Sequence, residues 1–133
     1  VYPGSKGNYS EKSNLKPINN YAWSKLGGEC AVQMYKKSLI LRVCMTEKPF
    51  VHKEAFTNMK TNFIFHDEVA KLLPLFYSHT GIINIGGKTQ SVYNFAKKYN
   101  LNIKGVILKK TKKNVLNLNV SMNINKMKKI VNA

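Results

Sequence analysis

Tyr21 and Lys25 are the residues of this 133-residue chain whose types and spacing best suggest chemistry. Side chains four residues apart on a helix lie on the same face. A cation held beside a phenol stabilises the phenolate, which suits a tyrosine to general acid catalysis. In a lysine-rich chain the same spacing also arises by chance between ordinary surface residues. The pair alone therefore suggests a proton-transfer site, and the flanking residues have to decide between the two interpretations.

The flanking residues favour catalysis. Residues 17–29 read PINNYAWSKLGGE, which is close to the pattern P-x-x-x-Y-G-x-S-K-L-x-G-E of the active-site helix in extended short-chain dehydrogenases. The chain most resembles the sugar-nucleotide branch of that superfamily, in particular the dTDP-4-dehydrorhamnose reductases. Four further segments resemble that branch in the same order, namely VYPG at 1–4, LILR at 39–42, NFIFHDEVA at 62–70 and GIINIGG at 81–87.

This resemblance implies an α/β fold that is the C-terminal part of a Rossmann-like doubly wound parallel sheet with a small substrate-binding lobe. Residues 1–44 would form the end of the NAD(P)-binding domain and carry the catalytic helix. Residues 45–133 would form mainly the substrate-binding lobe and returning Rossmann elements. The order of helices and strands read from the hydrophobic pattern also fits an α/β architecture.

The implied reaction is the NAD(P)H-dependent reduction of a 4-keto-6-deoxy sugar nucleotide. Tyr21 would donate a proton to the substrate carbonyl oxygen, and Lys25 would assist it and bind the nicotinamide ribose. Val43 and Cys44 would lie near the nicotinamide, although Cys44 and Met45 depart from the proline or small polar residue usual there. The sequence leaves two alternatives open: an epimerase or dehydratase of the same superfamily, and a non-catalytic dehydrogenase-like binding protein.

The segment from Met45 to Thr61 shows no clean period, and we interpret it as a basic loop on the substrate side. Lysines in it suit the diphosphate of a nucleotide sugar, although a solvated loop explains them equally well. A histidine further along would lie at the edge of the same pocket. The candidate substrate-binding residues are Lys48, His52, Lys53 and His66.

A dinucleotide-binding enzyme should also contain a strand, a glycine-rich turn and a helix that hold the cofactor pyrophosphate. The chain has no such unit, so we expect it to be the C-terminal half of a longer protein, inactive alone and dependent on an N-terminal half. The Ser or Thr of the family's catalytic triad would precede Val1. A phosphate-binding loop at 86–89 is not supported, because Ile82 occupies the position where that motif needs glycine.

Composition narrows the possible partners. A formal net charge of +16 suggests a polyanion, but Arg42 is the only arginine, and proteins that bind nucleic acid specifically favour arginine. We therefore do not expect a nucleic-acid partner. The chain has no apolar run near the roughly 20 residues that cross a bilayer, and no signal-peptide pattern, so we expect no membrane partner and a cytoplasmic location. An oligomer is possible.

Two residue classes suggest sites only weakly. Cys30 and Cys44 do not form a C-x-x-C pair and are expected to be free thiols that contribute to packing. The sequence His66-Asp67-Glu68 lacks the spacing of a metal site. We interpret Asp67 as a helix cap, and we expect no metal.

The expected elements follow from hydrophobic period and from Gly and Pro positions. Residues 1–16 have the composition of a mobile flap. Helices are expected at about 20–37, 67–77, 91–99 and 123–131, strands at 38–44, 81–85 and 103–108, and a solvated lysine-rich connection at 109–114.

Overall fold

The computed structural model describes residues 1–109 and 117–133. The lysine-rich connection predicted at 109–114 therefore lies, beyond Lys109, outside the described residues. The elements in chain order are α1 Asn20–Gln33, β1 Leu39–Val43, β2 Met45–Thr46, β3 Glu54–Phe56, β4 Lys60–Thr61, β5 Ile64–Phe65, α2 His66–Leu72, a 3₁₀ helix Leu73–Phe76, β6 Gly81–Ile85, β7 Gln90–Ser91, α3 Val92–Lys97, β8 Lys104–Val106 and α4 Asn125–Val131. Helices and strands are mixed along the chain, and three of the four described strand pairs are parallel. The predicted α/β class is confirmed.

The longest strand pair is β1 with β6. They run parallel, with Leu39 opposite Gly81 at one end and Val43 opposite Ile85 at the other. The last three residues of β6 are buried, whereas all five residues of β1 are only half-buried. Within the described residues β1 pairs with β6 alone, so its second edge is open.

The loop predicted at 45–61 contains short strands instead of being irregular. β2 pairs parallel with β5, β3 pairs parallel with β8, and β4 pairs antiparallel with β7. These strands have two or three residues each. Such short segments show no measurable period, which explains why the sequence pattern missed them.

Two hydrophobic clusters form the core. The first lies around β6, where Phe76, Ile83 and Ile85 are fully buried, and the C-terminal segment contributes Met122, Ile124 and Met127 to it. The second lies around α3 and the short strands. Its members are Phe50, Ala55, Phe65, Val92, Phe95, Ala96 and Ile103. The first cluster supports β1 and β6, and the second supports α3 and the short strands.

The helix ends differ in detail from those expected. α2 begins at His66, and the Glu68 carboxylate accepts a hydrogen bond from the Phe65 amide at 3.0 Å. Asp67 therefore lies in the first turn and is not the cap, contrary to the prediction, because Glu68 already satisfies the start of the helix. Pro74 lies at the change from α2 to the 3₁₀ helix. α1 ends at Gln33, four residues earlier than predicted.

The N-terminal segment has loop geometry, as expected, but it is packed against the body. Gly4 and Gly7 have positive φ angles of 78° and 72°, a conformation that favours glycine. Tyr9 is 7% exposed, and its hydroxyl accepts hydrogen bonds from the amides of Ser5 and Lys6, each at 2.9 Å. A backbone bridge joins Tyr9 to Met122. The mobile flap predicted at 1–16 is thus anchored through Tyr9.

Gly86 and Gly87 follow β6 at a close approach between backbone segments. A Cβ on Gly87 would lie 2.4 Å from the carbonyl oxygen of Phe63, and one on Gly86 would lie 2.8 Å from that of Asn62. Neither glycine has a positive φ. The turn therefore needs glycine for space rather than for its conformational freedom.

Among the described residues, no helix combines the length and the apolar character that crossing a membrane requires.

Candidate functional site

α1 presents Tyr21 and Lys25 on one face, as their spacing predicts. Asn19 caps the start of the helix, and its side chain accepts a hydrogen bond from the Ala22 amide at 2.8 Å. The Lys25 ammonium lies 5.3 Å from the centroid of the Tyr21 ring. Tyr21 is 70% exposed. The structure therefore brings the two residues together with their polar ends open to solvent.

Both residues line a cleft of about 490 Å³ between α1, β1 and the N-terminal segment. The apolar part of its wall comes mainly from β1, and the polar part from α1 and from the Arg42 end of the strand. The residues that line it are Val1, Tyr2, Tyr21, Lys25, Gly28, Glu29, Val32, Leu39, Ile40, Leu41, Arg42, Val43 and Met122. A proton donor, a cation and an apolar wall thus face the same space.

The two predicted cofactor neighbours, Val43 and Cys44, lie in different surroundings. Val43 lines the cleft with the Tyr21–Lys25 pair. Cys44 does not line it; its Sγ lies 3.0 Å from the Thr61 hydroxyl. Burial raises the pKa of the Cys44 thiol above its ordinary value. Cys44 is thus a packing thiol between β1 and β4.

A buried ion pair beneath the cleft was not anticipated from the sequence. The Arg42 guanidinium donates from Nε to Glu29 Oε2 at 3.0 Å and from Nη2 to Glu29 Oε1 at 2.5 Å. The two side chains are 8% and 7% exposed. Burial works to lower the pKa of Arg42, but the contacts with Glu29 and Tyr2 outweigh it and raise that pKa. The pair links α1 to β1.

Tyr2 links the Glu29–Arg42 pair to β6. Its hydroxyl accepts a hydrogen bond from Arg42 Nη1 and donates one to Asn84 Oδ1, both at 2.7 Å. Its ring stacks on Tyr9, with the centroids 5.1 Å apart. Burial raises the pKa of Tyr2, and the hydrogen bond from Arg42 opposes part of that effect. The signal in the sequence was the only arginine at the end of an apolar strand.

The four predicted substrate-binding residues do not gather in one place. Lys48 pairs with Asp67 at 3.1 Å, and this hydrogen bond lowers the pKa of Asp67. The ring of His66 lies 3.4 Å from the Thr46 carbonyl oxygen. Lys53 is exposed. Each of these three lies on the surface of the lobe built from the short strands.

His52 is the predicted substrate residue that reaches a cavity. Its ring packs edge-on against Phe50, with the centroids 5.4 Å apart. The cavity has a volume of about 300 Å³ and mostly apolar walls. Its lining residues are Thr46, Phe50, His52, Glu54, Ala55, Phe56, Met59, Phe63 and Val92. Phe50 and Phe56 of this wall were not predicted, because they lie in the segment 45–61 that the sequence pattern assigned to a loop.

In residues 1–109 and 117–133, no three His, Cys, Asp or Glu side chains come close enough together to hold a metal ion.

Solved sugar-nucleotide enzymes share this fold. A hypothetical dTDP-4-dehydrorhamnose reductase from Sulfolobus tokodaii matches with a TM-score of 0.77 and 26% identity, over 96% of this chain and 54% of that chain. The dTDP-4-dehydrorhamnose reductase of Bacillus anthracis, in complex with NADP, matches with a TM-score of 0.72 and 18% identity, over 96% and 53% of the two chains. The UDP-glucuronic acid 4-epimerase of Bacillus cereus, in complex with NAD, matches with a TM-score of 0.71 and 19% identity, over 99% and 50%.

The chain therefore spans about half the length of each of these proteins. A scan against protein-family models finds no match, and neither does a search of curated proteins. The likeness that the motifs predicted is thus confirmed by structure: the chain is similar in fold to the dTDP-4-dehydrorhamnose reductases and to related nucleotide-sugar enzymes.

Proposed function

We propose that this chain forms the catalytic helix and the substrate-binding lobe of an NAD(P)H-dependent reductase that acts on a 4-keto-6-deoxy sugar nucleotide. The observation that carries the proposal is the Tyr21–Lys25 pair, which faces an open cleft from one side of α1. The remainder of the enzyme is an N-terminal half that supplies the glycine-rich cofactor cradle. The chain alone is inactive in this proposal.

Tyr21 acts as the general acid. Its exposed hydroxyl donates a proton to the substrate carbonyl oxygen, and Lys25 stabilises the phenolate that remains. When bound, NADH or NADPH would supply the hydride for the carbonyl carbon. Tyr21 is 70% exposed, which leaves its hydroxyl accessible to the substrate.

The cleft fits the nicotinamide end of such a cofactor. The exposed Lys25 ammonium is positioned to donate hydrogen bonds to ribose hydroxyls. Leu41 and Val43 offer an apolar surface on the strand that faces the helix. The chain provides no cradle for the pyrophosphate, which is the part assigned to the N-terminal half.

The lobe of short strands binds the nucleotide sugar in this proposal. The cavity beside His52 has aromatic and aliphatic walls with few polar groups, which is typical of a small-molecule site. Phe56 and Phe63 suit a flat nucleobase. Lys48 and Lys53 lie on the exposed surface of the same lobe, from which they can reach the phosphates. His66, whose ring lies 3.4 Å from the carbonyl oxygen of the cavity residue Thr46, forms the outer edge of the pocket in this proposal.

An epimerase is the second candidate, because an epimerase shares the fold at a TM-score of 0.71. The reductase is favoured by the motifs quoted above and by the match to the Sulfolobus tokodaii protein, at a TM-score of 0.77 and 26% identity. The two activities differ in stoichiometry. A reductase consumes one NAD(P)H for each keto sugar, whereas an epimerase regenerates its cofactor.

The test uses the complete protein, with its N-terminal half, and follows the loss of NAD(P)H absorbance with a 4-keto-6-deoxy sugar nucleotide. Tyr21→Phe should lower kcat by at least about 10²-fold, the low end of the effect of a positioned proton donor, with little change in cofactor affinity. Tyr35→Phe is the matched control, because Tyr35 is 66% exposed and lies outside the cleft. Near-normal turnover of the Tyr21→Phe protein would exclude Tyr21 as the acid.

A companion measurement tests the dependence on the second half. Residues 1–133 alone should neither bind NAD(P)H measurably nor reduce a keto sugar, because the pyrophosphate cradle is not in this segment. Turnover by the 133-residue chain would refute the need for an N-terminal half. The role of Tyr21 would still be decided by the Tyr21→Phe variant.

A further inference from the structure

We propose that Glu29 and Arg42 are positioning residues, a latch that sets the angle of α1 so that Tyr21 and Lys25 face the cleft. The inference rests on the proposed function, and it starts from how little else holds the helix. Of the fourteen residues of α1, only Ala22 and Glu29 are buried. Within residues 1–109 and 117–133, the helix is therefore fixed to the rest of the chain mainly at these two points.

The latch has the geometry of a rigid joint. The planar guanidinium of Arg42 contacts both carboxylate oxygens of Glu29, which fixes direction as well as distance. The pair is more than nine-tenths buried, whereas Lys104–Glu54 is an exposed surface pair with side chains 73% and 54% exposed. Exposed pairs of that kind hold their partners only weakly.

The latch acts on the face that carries the proposed chemistry. Glu29 follows Lys25 by four residues and Tyr21 by eight, so that the three side chains form one stripe on α1. All three line the cleft. A rotation of α1 about the latch would therefore move the Tyr21 hydroxyl relative to β1.

Arg42, the member of the latch that lies on β1, is itself held in place by other contacts. Arg42 Nη1 donates to the Tyr2 hydroxyl at 2.7 Å and to the Glu11 carbonyl oxygen at 3.1 Å. The guanidinium also lies 5.1 Å from the centroid of the Tyr2 ring. Tyr2 in turn donates to Asn84 on β6. These hydrogen bonds thus connect α1, through Arg42, to β1, to β6 and to the N-terminal segment.

The consequence concerns turnover. Reacting groups have to be held close to the productive geometry, and a displacement of about 1 Å can lower a rate by about 10²-fold. Arg42→Lys keeps the charge but loses the fork, and Glu29→Gln keeps the shape but loses the charge. Each variant should lower kcat by about 10- to 100-fold through the position of Tyr21.

The test measures two properties of the complete protein. In the first, backbone hydrogen exchange of α1 should accelerate at least about tenfold in Arg42→Lys and Glu29→Gln, while exchange in α3 stays unchanged. In the second, adding either substitution to Tyr21→Phe should produce little further loss of kcat, because residues that act through one group are non-additive. Lys104→Gln, at the exposed pair, is the control and should change neither readout.

Two results would overturn the latch: unchanged α1 exchange, or acceleration that is equal in α1 and α3 and so reports general destabilisation. Losses of kcat that simply add to that of Tyr21→Phe would remove the positioning role. If the wild-type protein reduces no keto sugar, the proposed function fails by that result. The exchange measurement then still decides whether Glu29 and Arg42 hold α1.

Discussion

Replacement of Gly87 by alanine should destabilise the fold by about 2–3 kcal/mol, the upper part of the usual cost of overpacking. The added Cβ would lie 2.4 Å from the Phe63 carbonyl oxygen. The obstacle is backbone, so no flexible side chain can move away from it. The Gly87 amide also donates to the Asn62 carbonyl at 2.8 Å, and Asn62 Nδ2 donates to the Gly87 carbonyl at 2.9 Å. Separation of the two segments would therefore strain both hydrogen bonds.

Gly27→Ala is the matched control, since it adds the same methyl group where there is room. Gly27 is exposed on α1, and no described atom outside the helix lies within 4 Å of its Cβ position. Alanine should stabilise the helix by roughly 0.5–1 kcal/mol there. The two variants should thus differ by about 3 kcal/mol, in opposite directions from wild type.

The assay is urea denaturation followed by circular dichroism, on the complete protein under one set of conditions. A Gly87→Ala protein within about 0.5 kcal/mol of wild type would have the stability of an ordinary surface variant. That result would show that the Phe63 carbonyl yields easily, and it would refute the argument that space selects glycine in this turn.

Three further results are expected. The 133-residue chain expressed alone should bind a hydrophobic dye and lack a sharp thermal transition, because β1 is half-exposed and paired on one edge; a soluble monomer with cooperative unfolding would contradict this. Phe76→Ala should cost about 3–5 kcal/mol in urea unfolding, because Phe76 is 0% exposed, whereas Leu75→Ala should be nearly neutral. Near pH 8, thiol reagents should modify the exposed Cys30 well before Cys44, because burial raises the pKa of Cys44 and keeps it protonated; equal rates would show that Cys44 is accessible.

The sequence predicted the features that depend on short segments. Tyr21 and Lys25 belong to one helix, and their common face follows from helical geometry alone. β1 and β6 were recognisable because each is a five-residue segment made mostly of aliphatic residues. Their parallel pairing follows from the α/β order of the elements.

The features that sequence analysis missed depend on long-range contacts. The lobe of short strands pairs β3 with β8, which are about fifty residues apart and only three residues long. Neither strand is long enough to show alternation. The anchored N-terminal segment depends on contacts of Tyr9 with Met122. No local pattern reports such contacts, so composition alone suggested a free flap.

The Glu29–Arg42 pair lies between these two cases, because a physical argument would have found it. A single arginine ends the apolar run LILR, which is read as a buried strand, and the helix before it carries one acid, Glu29. An unpaired charge buried at either place would cost several kcal/mol. The chain has 6 acidic residues against 22 basic ones. Because acids are scarce, an acid on the helix next to this strand is a good candidate for the partner of the arginine. Pairing it with the arginine satisfies both groups and fixes the helix that carries Tyr21.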